Sequence, residues 1–217
     1  TYDNNTSTSA RSTVIRATMD SVTKDTTVTQ NAGSKTYSSW GAWSISLSAN
    51  VTTIAAAGGN ATLSTSATRS RTWQWNGTGT TYTENASGSP TLSKVNGAAS
   101  LSGSTVSYGN NTSTSSRSSV FRATIDSATK DITISQSAGA KQYSAWSAWT
   151  VNISNSGNVA ASGGSSNITT SASRTRTWTW NGVNGSGGTE TGTGTPTLSK
   201  ISGAGSFASN KVTYDNN

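Results

Sequence analysis

Arginine and tryptophan side chains at alternate positions are the residues of this chain best suited to stacking or binding chemistry. Two segments each carry two arginines followed by two tryptophans, and a pair of tryptophans precedes each segment. These residues are Trp40, Trp43, Arg69, Arg71, Trp73 and Trp75 in one copy and Trp146, Trp149, Arg174, Arg176, Trp178 and Trp180 in the other. Because alternate side chains of a strand share a face, each segment predicts a row of cations and rings. A guanidinium over an aromatic ring contributes ~0.5–2 kcal/mol.

Four uses of these rows are open from the sequence. We predict a structural Trp–Arg ladder that stiffens a sheet and covers its edge. The rows could instead form a glycan platform, in which exposed indoles stack on sugar faces and arginines donate hydrogen bonds to hydroxyls. Stacking on nucleic-acid bases and ordinary core packing are the other two uses. Since the net charge of +7 is spread along the chain, it forms no concentrated basic patch, and we predict no nucleic-acid partner.

The composition excludes the common catalytic and metal-binding groups. The chain has no histidine and no cysteine, so Ser-His-Asp and Cys-His catalysis, zinc sites built from these residues and disulfides are excluded. Glu84 and Glu190 each stand alone in their part of the chain, whereas a glycosidase needs two facing carboxylates. We therefore predict that the chain is not an enzyme and that it binds no cofactor and no metal.

Four aspartates lie near two predicted hairpin turns. They are Asp20, Asp25, Asp126 and Asp131. Their spacing matches no calcium-binding loop, and a lysine stands between the members of each pair. We predict that these aspartates cap turns and form local ion pairs.

The surface chemistry predicts a location outside the cell. Only 11% of the residues are charged, and Ser, Thr, Asn and Gly dominate, which is typical of secreted or virion-exposed β-proteins. The apolar runs are too short for a transmembrane helix, so we predict no membrane span in this segment. The predicted location is extracellular, on a cell surface or a virion surface.

An internal repeat organises the chain. Residues 2–48 and 108–154 are identical at 29 of 47 positions, with an offset of 108 − 2 = 106. The first five residues return as residues 213–217. This pattern predicts a window cut from a longer array of repeats.

Each period has the pattern of an all-β domain. Residues 60–75 alternate between apolar and polar types and end at Asn76-Gly77, a strong turn signal. Residues 12–18 and 25–30 read as a hairpin with its turn at 20–24. No helical period is present, and about seven strands per period suit a sandwich. We predict tandem immunoglobulin-like β-sandwich repeats of about 106 residues.

Glycines set the predicted domain boundaries, because Gly33 and Gly139 follow the last strand of each hairpin. Residues 35–140 are predicted to be one complete repeat. Residues 1–34 would be the closing hairpin of a preceding repeat, and residues 141–217 the first two-thirds of the following one. Such partial repeats have unpaired edges. We expect them to be completed by neighbouring sequence of the same chain or by another chain through strand donation.

The hairpin sequences resemble a known family. Residues 117–124, RSSVFRAT, and 130–139, KDITISQSAG, resemble the closing hairpin of BACON-type and related bacterial immunoglobulin-like domains, as do residues 11–18 and 24–33. The glycine pairs at 58–59 and 163–164 also fit the family, whereas the tryptophan-rich middle departs from it. The resemblance implies non-catalytic spacers, with proposed glycan or mucin binding, in surface proteins of gut Bacteroidetes and in virion proteins of their phages.

A second resemblance concerns the packing of side chains and implies no family relation. Residues 146–150, WSAWT, are similar to the Trp-Ser-x-Trp-Ser box of cytokine-receptor fibronectin domains, where tryptophan rings interleave with arginines of an adjacent strand. We therefore predict a structural and adhesive repeat of a surface fibre or stalk that assembles by strand complementation. The alternative is a glycan-binding adhesin module. The predicted partners are neighbouring repeats or copies of the chain, and cell-surface or mucin glycans.

Overall fold

The structure, a computed structural model, describes residues 1–216 and is all-β, as the sequence predicted. Those residues form strands, turns and loops, and none lies in a helix that could cross a membrane. Two compact units interleave along the chain. The first holds residues 1–53, 60–107 and 118–135, and the second holds residues 54–59, 108–117 and the chain from Gln136 onward. The predicted boundaries at 34/35 and 140/141 stay predictions.

The strands are, in chain order, β1 (Arg11–Met19), β2 (Val22–Gln30), β3 (Lys35–Tyr37), β4 (Ser44–Ala49), β5 (Thr53–Ile54), β6 (Gly59–Trp75), β7 (Tyr82–Gly88), β8 (Thr91–Gly97), β9 (Ser100–Ser102), β10 (Thr105–Tyr108), β11 (Arg117–Ile125), β12 (Ala128–Gln136), β13 (Lys141–Tyr143), β14 (Thr150–Asn155), β15 (Gly164–Trp180), β16 (Gly188–Gly194), β17 (Ser206–Ala208) and β18 (Lys211–Tyr214).

Strand β6 organises the first large sheet. It is 17 residues long and pairs with β3, β4, β7 and β10, while β9 extends the sheet beyond β10. Both β3 and β4 pair with β6, so two short strands follow one another along the same long strand. Such short pieces raise the count between residues 35 and 140 to ten strands, β3 to β12, instead of about seven.

A second sheet has the order β5-β12-β11-β8, and its centre is the hairpin β11–β12. Phe121, Ala123 and Ile134 of this hairpin are fully buried. Leu63, Ala67 and Val106 of the first sheet are buried as well. Alternation therefore directs one face of each sheet inward, and the arrangement is β-sandwich-like.

Hairpin β1–β2 repeats β11–β12 in sequence but not in packing. Within the described residues β1 and β2 pair only with each other, and every residue of the hairpin from 11 to 29 is exposed. The turn is tighter than the predicted 20–24, because Met19 pairs directly with Val22 and leaves a two-residue loop. Asp20 adopts a φ of 52° there, a left-handed conformation that Asp tolerates.

The sheet of the second unit repeats the first large sheet. Strand β15 pairs with β13, β14, β16 and β18, and β17 pairs with β18. Residues 197–203 share the pattern of β8, since TLSKISG replaces TLSKVNG, yet they form no strand. Strand β8 pairs with β11. No equivalent hairpin pairs with residues 197–203 within the described chain. A strand edge without a partner gains no ladder hydrogen bonds.

The buried hairpin predicts a large difference between matched substitutions. Phe121→Ala removes a side chain with 0% exposure and should cost about 3–5 kcal/mol of unfolding free energy. Ile15→Ala changes the equivalent position of β1, which is 53% exposed, and should change that free energy little. Urea denaturation followed by tryptophan fluorescence, at a dilution where the chain is monomeric, measures both. Equal losses would contradict the packing described here.

Exposed ion pairs predict a pH dependence of stability. The Arg122 guanidinium donates two hydrogen bonds to Asp131, at 2.7 and 2.8 Å, and lowers the pKa of that carboxyl. Arg16 does the same to Asp25. A carboxyl with a lowered pKa contributes stability above its unfolded pKa of about 3.9 and loses it as the pH falls through the folded value.

The melting temperature should therefore fall as the pH drops below the ordinary aspartate range. Asp131→Asn should reduce that fall, because it removes the group that titrates. Asp25→Asn should leave it nearly unchanged, since the hairpin β1–β2 is not packed into a core. Melting followed by circular dichroism from neutral to acid pH measures all three chains. A wild-type pH profile in Asp131→Asn would contradict this account.

Candidate functional site

The aromatic and cationic rows meet because one segment runs along the end of β6. Strand β3 pairs Lys35 with Trp75 and Tyr37 with Trp73. Beyond β3 the chain stays beside β6 through backbone hydrogen bonds from Ser38 to Thr72, 2.9 Å, and from Gly41 to Ser70, 2.8 Å. Residues 38–43 are not a regular strand, so Trp40 and Trp43 can turn their rings over the arginines of β6.

The result is a ladder in which cations and rings alternate. The Arg69 guanidinium carbon lies 4.3 Å from the ring centre of Trp43 and 5.0 Å from that of Trp40. The Arg71 carbon lies 4.4 Å from the Trp40 ring and 4.0 Å from the Tyr37 ring. Each arginine is thus held between two aromatic faces, which is the geometry of a cation–π contact.

The ladder continues with a lysine. Lys35 Nζ lies 4.1 Å from the ring centre of Trp73 and 5.6 Å from that of Trp75. The two indoles meet edge to face, with centres 5.9 Å apart. On the far side of β6, Tyr82 stacks on Trp73 at 4.5 Å. Aromatic pairs of this kind contribute ~0.5–1.5 kcal/mol beyond the area they bury.

Carboxylates complete the ladder at two points. Arg71 Nε donates a hydrogen bond of 2.7 Å to Glu84, its direct partner across β6 and β7. Trp43 Nε1 donates one of 2.7 Å to Asp126, and Arg69 lies 3.9 Å from the same carboxylate. Asp126 belongs to the turn of β11–β12, so the closing hairpin supplies the last group of the ladder.

A glycine makes room for the terminal ring. A Cβ at Gly88 would lie 2.8 Å from the Trp43 ring and 2.5 Å from Ile125. A side chain at this position would therefore push the terminal indole away from Arg69.

The second unit contains the same ladder. Arg174 lies 4.5 Å from the Trp149 ring and 4.7 Å from the Trp146 ring. Arg176 lies 4.4 Å from Trp146 and 4.0 Å from Tyr143. Its Nε donates a hydrogen bond of 2.7 Å to Glu190. All of these cation–ring distances agree with those of the first ladder within 0.3 Å.

The two ladders differ at both ends. In the second, Gly188 stands opposite Trp178, where the first has Tyr82 on Trp73. Arg174 forms no ion pair among the described residues, whereas Arg69 lies 3.9 Å from Asp126. The Nε atoms of both arginines are buried without a hydrogen-bond partner. Asp126 therefore has no counterpart in the second ladder.

All twelve residues predicted from the sequence lie in the two ladders. In the second ladder Lys141 Nζ lies 4.0 Å from the Trp178 ring and 5.9 Å from the Trp180 ring. Five members of the ladders were not predicted from the sequence: Lys35, Tyr37, Tyr82, Lys141 and Tyr143. Lys35 and Tyr37 alternate just before the Trp40 segment, and that alternation was the available signal. Glu84 and Glu190 were considered only as catalytic acids, whereas both pair with an arginine. Asp126 meets its partners through non-local pairing that no local pattern reveals.

The geometry leaves few ring faces and cations of the ladder free to bind a ligand. The eight indoles are half-buried apart from Trp149, which is exposed, and the cations already contact ring faces. No group of three acids that could hold a metal ion occurs within residues 1–216. The arrangement can fix neighbouring strands to each other and present aromatic edges to solvent.

The fold and ladder define an all-β chain with two copies of one aromatic–cationic device. No protein-family model, curated protein or solved structure matches the chain. The resemblance of its hairpins to BACON-type domains therefore stays a prediction.

The interleaved rings predict that Arg71 contributes more than its ion pair. Arg71→Met removes two cation–ring contacts and leaves Glu84 unpaired, so the unfolding free energy should fall by about 1–3 kcal/mol. Glu84→Gln keeps the rings and the cation and should cost clearly less. Urea denaturation of the two variants measures this difference, and equal losses would show that the ion pair dominates.

Proposed function

We propose that this chain is a non-catalytic structural repeat of a fibre or stalk outside the cell, on a cell or virion surface. Its units would be immunoglobulin-like sandwiches of about 106 residues. The observation that carries the proposal is the packing of cations on rings in both ladders, because it occupies ring faces on which a sugar would otherwise stack. A ladder of this kind fixes the long strand of each sheet to its neighbours.

Regular contacts between the turn after each long strand and the preceding loop support the repeat role. Asn181 Nδ2 donates hydrogen bonds to Asn110 Oδ1, 2.7 Å, and to the carbonyl of Asn111, 2.9 Å. Asn76 makes the same two contacts with Asn4 and Asn5. Each turn thus holds the loop that leads into the preceding closing hairpin, a feature suited to units joined in series.

The low charge and the surface rich in Ser, Thr and Asn support the extracellular part of the proposal. The hairpin resemblance supports a relation to tandem surface domains of bacteria or of their phages. Neither observation depends on the ladder.

Glycan binding is the second candidate, and the exposed tyrosines favour it. Tyr37 and Tyr143 are 42% and 46% exposed beside the arginines that they contact. A sugar could stack on these outer rings while the indoles keep their structural role. The site would then be the tyrosine edge of each ladder.

Two measurements on the 217-residue chain test the proposal. Pulling the chain by its ends in single-molecule force spectroscopy should show unfolding forces that fall in Arg71→Met and Arg176→Met, because the ladder holds the long strands. A broad glycan array should show no saturable binding. Binding that is lost in a Tyr37→Ala, Tyr143→Ala chain of unchanged circular dichroism would instead identify an adhesin.

A further inference from the structure

Two copies of one hairpin sequence pack differently in this chain. Residues 11–30 and 117–136 are identical at 13 of 20 positions. The second copy lies between β8 and β5, while the first has no partner strand outside itself among the described residues. Ile15 and Val28, at 53% and 46% exposure, stand where the fully buried Phe121 and Ile134 stand in the second copy. The free hairpin therefore exposes the residues that form a core elsewhere.

The second unit has an open groove that no hairpin covers among the described residues. An open groove of ≈970 Å³ is lined by Val159, Ile168 and Val212 among others, and an adjoining one of ≈320 Å³ shares the last two. Leu198 also lines the smaller groove, and Ile201 beside it is 96% exposed. In the first sandwich the equivalent of Leu198 is Leu92, which pairs with Ala123 of β11. The equivalent of Ile201 is Val95, which lies at an irregularity of the β8–β11 register and is 46% exposed.

Polar groups of the free hairpin and of the groove also correspond to groups that are hydrogen-bonded to each other in the closed sandwich. In the closed sandwich Gln136 Nε2 donates hydrogen bonds of 3.1 Å to the carbonyls of Ala55 and Ala56. Their counterparts, Ala160 and Ala161, line the larger groove. Gln30, the counterpart of Gln136, already accepts a hydrogen bond from Arg11, as Gln136 does from Arg117. The free hairpin is thus preorganised for this contact.

The ladder supplies a second match. Asp126 binds Trp43 and lies near Arg69, whereas Trp149 and Arg174 have no carboxylate partner among the described residues. The counterpart of Asp126 is Asp20, at 126 − 106 = 20. Their φ angles, 49° and 52°, are nearly equal, so Asp20 would present its carboxylate in the same way.

We propose that the hairpin Arg11–Gln30 of one copy of this chain docks into the groove of the second unit of another copy. It would pair with residues 197–203 as β11 pairs with β8, and would place Asp20 against Trp149 and Arg174. Strand addition of this kind satisfies exposed backbone groups of both partners. Donor and acceptor are different surfaces of one chain, so the contact is head-to-tail and can repeat into a filament. The inference rests on the proposed fibre function and names its partner.

The test uses two variants of the full chain that each remove one side of the contact. Ile15→Asp places a charge on the donor face, and Leu198→Asp places one in the acceptor groove. Sedimentation velocity should show concentration-dependent oligomers for the wild type and monomers for each variant alone. An equimolar mixture should form a dimer and nothing larger, because it holds one intact donor and one intact acceptor.

Matched control variants distinguish docking of the hairpin from nonspecific association. Ser12→Asp lies on the same strand but corresponds to the exposed Ser118, so it should associate as the wild type does. Ile15→Phe copies the residue of the closed sandwich and should associate at least as tightly. Asp20→Asn should weaken association by about tenfold or more, since a hydrogen bond to a charged group contributes on the order of 1.5–3 kcal/mol.

A wild type that stays monomeric at all concentrations, or oligomers that persist in Ile15→Asp, would overturn the proposal. So would a mixture of the two variants that forms no dimer. These outcomes concern only the docking. The force and glycan measurements on the ladder decide the fibre function separately, so the two failures are distinguishable.

Discussion

Backbone pairing of the closing hairpin is the interaction on which formation of the second sheet, and so closure of the sandwich, depends. Residues 91–97 form a strand beside β11, whereas the nearly identical residues 197–203, without such a hairpin, do not. Local propensity is the same in both places, so the difference comes from the partner. An unpaired row of backbone donors and acceptors must remain in water. Ile201 is 96% exposed, compared with 46% for its counterpart Val95 in β8.

The ladder adds a second constraint at the outer end of the long strand. Short pieces such as β3 would hold poorly by backbone bonds alone. Cations placed between rings connect these pieces to β6 through side chains, and Glu84 on β7 holds Arg71 from the opposite side. Rings in contact with cations lose part of their exposed apolar surface without entering a core. A chain poor in large aliphatic residues can therefore still stabilise long strands.

Local patterns in the sequence were enough for the long elements and for part of the ladder. The alternation over 60–75 predicted β6 to within one residue, and the hairpin pattern predicted β1 and β2. The same alternation placed Arg69, Arg71, Trp73 and Trp75 on one face. Contacts set by pairing across strands were not predictable in this way. Tyr82 stacks on Trp73 and Glu84 meets Arg71 because of the register between β6 and β7, which a single sequence does not specify.

The two constraints meet at one carboxylate. Asp126 stands in the hairpin turn and accepts a hydrogen bond from Trp43, the terminal ring of the ladder. Insertion of the hairpin therefore buries Phe121 and Ile134 and, in the same step, completes the ladder. Among the described residues of the second unit neither feature is present: the groove is open, and Trp149 is the one exposed indole. Sheet closure and ladder completion thus need the same hairpin in the same register, so the contacts of each stabilise the position of the hairpin that the other requires.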